Sequence, residues 1–206
     1  AIISLSCAPN GKELCEQIWG EKLVWVDYTR PGFLLSKWVG EGVRANPKAE
    51  LVVLAKHGLL TWGETAQECY NQTIKILQEA ESFIAAHRGD RKIFPGLDIP
   101  PVAEDECHHV LQGIMPPLRG TLSTRQPAIL EYDKAQDVLD FVGTAEANQL
   151  SQLGVACPDH LVHTKRQPLF VNWKPEEGID ALNQKLKVEL EAYVSRYQEY
   201  FTTFAQ

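Results

Sequence analysis

The chain has 206 residues and an ordinary globular composition, with 44% hydrophobic and 23% charged residues. This composition predicts one compound folded domain and excludes a disordered chain. The net charge of −7 argues against nucleic acid and anionic membrane surfaces as partners, and no apolar run approaches the roughly 20 residues of a membrane span.

The five cysteines are odd in number and widely spaced, with no C-x-x-C pair. This pattern favours free thiols in a reducing compartment, so we predict a cytoplasmic protein. The sequence begins AIISLSC, with neither an initiating methionine nor the basic segment of a signal peptide. We therefore expect the chain to be the middle of a longer polypeptide.

Residues 1–90 alternate helical and strand patterns. In chain order they predict a helix at 11–20, a strand at 22–28, a helix opened by Pro31, a strand at 50–55, and a helix that starts at a T-x-x-E capping box (Thr65, Glu68) and ends near Gly89. The strand ELVVLA at 50–55 is apolar throughout, which predicts burial on both faces of a sheet. This part of the chain is predicted to be α/β.

The remaining residues divide into two predicted parts. Residues 91–127 hold six of the twelve prolines and predict a long ordered surface connection with a short helix near 103–114. Residues 128–206 predict a smaller second α/β portion. Its expected elements are the strands AILEY (128–132) and PLFVNW (168–173), helices at 134–142 and 144–153, and a long terminal helix from about Glu176.

The strand at 50–55 is followed directly by Lys56, His57 and Gly58. Gly58 permits a sharp turn, which would place His57 at the carboxyl end of the sheet, where α/β proteins bind ligands. A neutral imidazole there could ligate zinc, or it could make a turn hydrogen bond, and spacing alone leaves both readings open. Strand alternation predicts that Lys56 lies on the opposite face, in a surface salt bridge.

Three stretches carry a resemblance to a known family. VVLAKHGLLTWGETAQECY and the preceding VWVDYTRPG resemble the class II aldolase/adducin family, in the same order along the chain. GTAEANQLSQLGVACPDHLVHTKRQPLFV is similar to bacterial members in which a rhamnulose-1-phosphate aldolase-like module precedes a short-chain dehydrogenase. The resemblance covers nearly the whole chain and implies an N-terminally incomplete, class II aldolase-like αβα sandwich.

The resemblance also implies a metal. Family members hold zinc, or another divalent cation, with three histidines, and His57 corresponds to the third of them. The H-x-H element that supplies the other two would fall before Ala1, and no G-x-G-x-x-G dehydrogenase motif is present. The implied reaction is retro-aldol cleavage of a rhamnulose 1-phosphate-like ketose phosphate to dihydroxyacetone phosphate and L-lactaldehyde, with the cation stabilising the enediolate.

Two further groups of residues are candidates for the site. Tyr28 matches in position a tyrosine that some family members send into a neighbouring subunit, where it would serve the aldehyde oxygen; a plain strand tyrosine is the alternative. In CPDHLVHTKR, the Cys, Asp and His side chains could form a second metal site, line the substrate pocket, or belong to a structural loop. We predict that His160, Lys165 and Arg166 bind substrate, the two cations through its phosphate.

The resemblance leaves rival functions open. Adducin-like members keep the fold without the metal histidines and act in protein assembly, and related members are sugar-phosphate epimerases or dehydratases. Because family sites commonly lie between subunits, the resemblance implies a homo-oligomer. The apolar stripe of the terminal helix could serve that contact, dock within the monomer, or face the dehydrogenase module of a longer polypeptide.

Overall fold

A computed structural model describes residues 1–91, 94 and 99–205. The chain forms two compact units, one from Ala1–Arg91 with Val155–Arg166 and the other from Lys92–Gly154 with Gln167–Gln206. The predicted domain division at residues 90 and 127 stays a prediction. Part of the proline-rich connection predicted at 91–127, including Pro95, lies outside the described residues.

The described residues contain both helices and strands. The strands are β1 Leu23–Val26, β2 Leu51–Leu54 and β3 Gly58–Leu60. The α-helices are α1 Ile2–Cys7, α2 Gly11–Trp19, α3 Phe33–Ala45, α4 Ala66–Arg88, α5 Glu104–Leu122, α6 Gln136–Val142, α7 Ala147–Ser151, α8 Pro158–His163 and α9 Gly178–Phe204. No helix among these residues is both long and apolar enough to cross a membrane.

The sheet of the first unit has the strand order β1-β2-β3. β1 runs parallel to β2, with Leu23 opposite Leu51, and β2 runs antiparallel to β3, with Leu54 opposite Gly58. All four residues of the central strand β2 are buried, as its continuous apolar sequence predicts. The parallel pair places the chain segments that follow β1 and β2 at the same edge of the sheet.

Helices cover both faces of this sheet. On one face, Leu51 and Val53 pack into a cluster supplied by α1, α2 and α4, whose buried members include Ile2, Trp19 and Ile76. On the other face, Val52 and Leu54 pack against the partly buried Leu35, Val39 and Val43 of α3. The predicted αβα layering is therefore confirmed in this unit.

Some large apolar side chains of α3 and α4 lie outside the core. In α3, Leu34 and Trp38 are 48% and 39% exposed, and in α4 Tyr70 is 65% exposed. The apolar face of each helix is wider than the area that the short strands β1 and β2 can cover, so part of it stays exposed. α3 instead approaches the sheet at Gly42, where a Cβ atom would lie 2.7 Å from Cγ1 of Val24.

The start of α4 confirms half of the predicted capping box. The hydroxyl of Thr65 accepts a hydrogen bond from the backbone N–H of Glu68 (3.2 Å). The carboxylate of Glu68 accepts from the N–H of Glu64 (2.9 Å) instead of that of Thr65. The helix ends at Arg88 and is followed by Gly89, whose φ of +55° lies in the left-handed region.

Replacing Thr65 by alanine is expected to lower the free energy of unfolding by about 1 kcal/mol, because one N–H of the first turn loses its acceptor. Urea denaturation followed by circular dichroism measures this change. Thr202→Ala is the matched control, since its exposed hydroxyl only bonds back to the carbonyl of Gln198 within α9. Equal stabilities of the two variants would contradict a capping role for Thr65.

The second unit contains no strand among its described residues, so the strands predicted at 128–132 and 168–173 are wrong. Both segments lack the helical pattern that their neighbours have, but an apolar, β-branched segment becomes a strand only where another strand lies beside it. Ile129, in the first segment, is 95% exposed. The predicted terminal helix is present as α9, preceded by a single 3-10 turn at Pro175–Glu177.

Helix α5 is longer than the predicted helix near 103–114. It continues through Pro116 and Pro117, although each proline forgoes one backbone hydrogen bond. Close packing on α9 supports it: a Cβ atom on Gly113 would lie 2.6 Å from Ile179, and Nδ2 of Asn183 donates to the Gly113 carbonyl (3.2 Å). Tertiary contact thus outweighs the local signal to end the helix.

Candidate functional site

Tyr28 and His57 lie together at the carboxyl edge of the parallel strand pair. Tyr28 follows the end of β1 by two residues, and His57 follows the end of β2 by three. The N–H of Ala55 donates to the carbonyl of Val26 (2.9 Å), which continues the β1–β2 pairing to this edge. Two residues 29 positions apart in sequence are brought side by side because their strands are parallel neighbours.

A tight turn presents the imidazole of His57. The backbone N–H of His57 donates to the carbonyl of Leu54 (3.0 Å), and the turn requires a φ of +60° at Lys56. A lysine in the left-handed region costs about 1 kcal/mol relative to glycine, so the surrounding structure must hold it there. Gly58, at φ +153°, is the first residue of β3, a strand that the sequence analysis does not predict.

The geometry assigns a role to each ring nitrogen of His57. Its Nε2 lies 3.0 Å from the carbonyl oxygen of Thr29. Since a carbonyl only accepts, Nε2 carries the proton, and in the neutral ring Nδ1 keeps a free lone pair. A metal-binding histidine is typically oriented in this way, by a second group bonded to its other nitrogen. The side-chain hydrogen bond is therefore made to the segment after β1 and not within the turn, and it is compatible with a metal ligand at Nδ1.

Aromatic and cationic groups surround this imidazole. The rings of Tyr28 and His57 stack with centroids 5.4 Å apart and an interplanar angle of 16°. His57 is half-buried, whereas Tyr28 is 48% exposed, which leaves its phenol open to solvent. The Lys56 ammonium lies 5.9 Å from the centroid of the Tyr28 ring.

The predicted surface salt bridge of Lys56 is wrong within the described part of the chain, where its ammonium faces the Tyr28 ring instead. Strand alternation ends at Leu54, and the left-handed backbone of Lys56 turns its side chain towards β1. An exposed cation–π contact of this kind contributes about 0.5–1 kcal/mol.

His57 fits one position of a divalent-cation site, because its free Nδ1 is a good zinc ligand on an oriented ring. The rest of the donor set is not found in the part of the chain that the structure describes: no group of three or more His, Cys, Asp or Glu side chains there could hold a metal ion. This result also contradicts the alternative of a second metal site at Cys157, Asp159, His160 and His163. The described residues thus supply one candidate metal ligand, His57, and not a complete metal site.

The other predicted substrate-binding residues lie on or after α8. His160, Lys165 and Arg166 are all exposed and belong to the same compact unit as His57. The segment is anchored by the buried Cys157 and by a hydrogen bond from the Cys7 thiol to the carbonyl of Ala156 (3.2 Å). Within the residues described, no hydrogen bond or ring contact joins the His160 side chain to Tyr28 or His57. Their role in substrate binding stays a prediction.

Two features of the site could not be predicted from the sequence. The Thr29 carbonyl that orients His57 is a backbone group and carries no sequence signature. The contact of Lys56 depends on a single backbone angle.

Cys15 is excluded as a nucleophile, because burial raises its pKa to about 11 and keeps it a thiol.

Comparison with known proteins covers most of the chain. The family model described as the class II aldolase and adducin N-terminal domain matches residues 2–83. The model described as the second domain of class II aldolases matches residues 109–206. No solved structure gives a significant match.

A curated relative from Bacillus subtilis (strain 168) is named as the uncharacterized oxidoreductase YuxG. It is 51% identical over 203 residues, which make up 98% of this chain and 30% of the relative. The chain therefore spans less than a third of the length of that protein.

Proposed function

The chain carries the two domains of the class II aldolase/adducin family, and on that premise we propose that it is the aldolase-like module of a metal-dependent lyase acting on a sugar phosphate. The proposed substrate is a rhamnulose 1-phosphate-like ketose phosphate, and the products are dihydroxyacetone phosphate and L-lactaldehyde. The observation that carries this proposal is His57, whose imidazole is oriented by the Thr29 carbonyl and stacked on Tyr28 at the carboxyl edge of the sheet.

Each residue of the proposed site has a defined task. His57 would hold zinc, or another divalent cation, through Nδ1, while Thr29 fixes the ring. The remaining ligands would come from outside the described residues, since those residues contain no cluster of three. The exposed phenol of Tyr28 would transfer a proton to and from the aldehyde oxygen. His160, Lys165 and Arg166 would bind substrate, with the two cations on the phosphate.

The comparison with YuxG supports a longer polypeptide with a further module. That relative is named an oxidoreductase, and the chain aligns with only 30% of it, which is consistent with a dehydrogenase module elsewhere in the same polypeptide. We further propose a cytoplasmic homo-oligomer that binds neither nucleic acid nor membranes. The net charge of −7 supports the last point.

An adducin-like assembly domain is the second candidate. The observation that favours it is the lack of a three-ligand cluster in the described part of the chain. The oriented imidazole of His57 favours the enzyme, because assembly does not require a free ring nitrogen beside a solvent-exposed phenol.

Metal analysis and product analysis of the full-length protein test the proposal. The aldolase should retain close to one divalent cation per chain and should release dihydroxyacetone phosphate from rhamnulose 1-phosphate. A metal-loaded protein that returns an isomerised or dehydrated sugar phosphate would instead be a related epimerase or dehydratase. A protein with neither metal nor turnover would be the assembly domain.

Replacing Tyr28 by phenylalanine is expected to lower kcat by about 10²–10⁴-fold with unchanged metal content, since only the proton-transferring hydroxyl is removed. The phenylalanine ring preserves the stacking on His57. Tyr70→Phe is the matched control, because Tyr70 is 65% exposed on α4. Steady-state cleavage rates and metal analysis measure both effects, and a Tyr28→Phe enzyme of normal kcat would exclude the proposed role.

A further inference from the structure

The second unit contains a cavity, open on one side to solvent, that the proposed reaction does not use. Its volume is about 830 Å³, within the range of about 300–1,000 Å³ that is typical of small-molecule sites. Five chain segments line it, namely 99–104, α5, 132–134, the end of α6 and residues 169–173. The lining is mainly apolar and includes Val110, Leu111, Ile114, Leu139, Phe170 and Val171.

A small set of polar side chains also lines this cavity. The Cys107 thiol donates a hydrogen bond to the Tyr132 hydroxyl (3.3 Å), so the hydroxyl keeps its own proton for another acceptor. Nζ of Lys134 lies 2.9 Å from Oε1 of Glu104, which leaves further ammonium N–H groups unused by that carboxylate. This hydrogen bond holds the pKa of Glu104 below its usual value, so the pair stays ionised. His108 lines the cavity as well.

The balance of these groups favours an anionic oxygen on the ligand. Tyr132, Lys134 and His108 can all donate hydrogen bonds, and Glu104 is the one carboxylate among the described lining residues. Its charge is already matched by Lys134. A ligand oxygen therefore meets donors, while the apolar side chains from α5, α6 and 169–173 would surround the remainder of the molecule.

We propose that this cavity binds a small molecule with an apolar body and a single anionic head group, such as an aryl or medium-chain carboxylate. Burial of the body against the apolar lining supplies affinity, and the donors of Tyr132 and Lys134 orient the head group. The cavity lies within one compact unit and contains neither Tyr28 nor His57. The proposal thus stands apart from the proposed lyase reaction.

A matched pair of fluorescent probes tests the two parts of the ligand. 1-Anilinonaphthalene-8-sulfonate carries an anionic group on an aromatic body, and N-phenyl-1-naphthylamine is the same body without the charge. In the full-length protein, Leu111→Trp and Val171→Trp should each lower the binding affinity of both probes about tenfold, because the indole fills the space that the aromatic body would occupy. Lys134→Met should lower only the affinity of the sulfonate, by about three- to fivefold, which is the contribution of one exposed charge contact. Lys187→Met removes an exposed lysine of α9; it is the control and should change the affinity of neither probe.

Protection of a thiol locates the bound probe. Saturating sulfonate should slow alkylation of the cavity-lining Cys107 and leave Cys69, a half-buried thiol of the first unit, unchanged by peptide mass spectrometry. This measurement on the unaltered protein decides the question if a tryptophan variant fails to fold. The proposal is overturned if Cys107 is not protected, if both tryptophan variants fold and bind the sulfonate normally, or if Lys134→Met weakens both probes equally.

Discussion

Replacing Leu51 by alanine is expected to lower the free energy of unfolding of the first unit by about 2–5 kcal/mol. Leu51 is fully buried at the start of the central strand, and its side chain belongs to the cluster formed with α1, α2 and α4. Truncation removes buried methyl groups and leaves a cavity. The cavity cannot close fully, because the helices packed on the sheet hold their positions. A loss of this size is a large fraction of the 5–15 kcal/mol that is typical of a whole domain.

Leu60→Ala is the matched control for this substitution. Leu60 lies on the neighbouring strand β3 of the same sheet but is 40% exposed, so its truncation should cost less than about 1 kcal/mol. Urea denaturation followed by tryptophan fluorescence measures the difference, because Trp19 is part of the same buried cluster. Similar denaturation midpoints for the two variants would show that β2 is not the centre of the core.

The elements that the sequence predicts correctly are those in which local pattern and tertiary environment agree. β2 is continuously apolar because both of its faces are covered, and α4 has both a cap at Thr65 and a buried side with Ile76 and Ala80. These features depend on residues close together in the chain. Their positions are therefore readable before any contact between distant segments is known.

The errors occur where a distant partner decides the outcome. Residues 168–173 have a strand-like composition but pair with no other strand in the described structure, so they form no strand, and residues 169–173 line a cavity instead. α5 continues past Pro116 because α9 packs against it at Gly113. Neither partner can be identified from the sequence of the segment itself, which is why the second α/β portion was predicted with strands that do not form.

The candidate site likewise has some features that the sequence predicts and others that it does not. The position of His57 follows from a buried strand that ends at a turn. Its neighbour Tyr28 is a candidate from the resemblance, and the parallel pairing places it beside His57. The bond that fixes the imidazole comes from the Thr29 carbonyl, and a backbone acceptor has no signature among side chains. Whether His160, Lys165 and Arg166 reach the same substrate depends on geometry that residue spacing does not encode.

On the proposed lyase function, replacing His57 by alanine in the full-length protein is expected to abolish retention of a divalent cation and with it the cleavage activity. The imidazole would be one of the few protein ligands, and its removal would leave that position to solvent. Metal analysis after dialysis against a weak chelator measures the effect. His87→Ala is the matched control, because His87 is an exposed histidine whose Nδ1 bonds the Phe83 carbonyl within α4. It should retain metal as the unaltered protein does.

A second substitution separates ligation from the structural hydrogen bond of the same residue. His57→Gln keeps an N–H donor that can reach the Thr29 carbonyl (3.0 Å from Nε2 in the native ring) but provides no imidazole lone pair. If His57 serves as a ligand, the glutamine variant should fold with near-native stability and still lose its metal. If His57 serves only the hydrogen bond to Thr29, the alanine variant should lose stability, the glutamine variant should recover it, and both should retain the cation. The second pattern would reduce the relationship with the aldolases to one of fold, because the single oriented imidazole on which the lyase assignment depends would then have no chemical role.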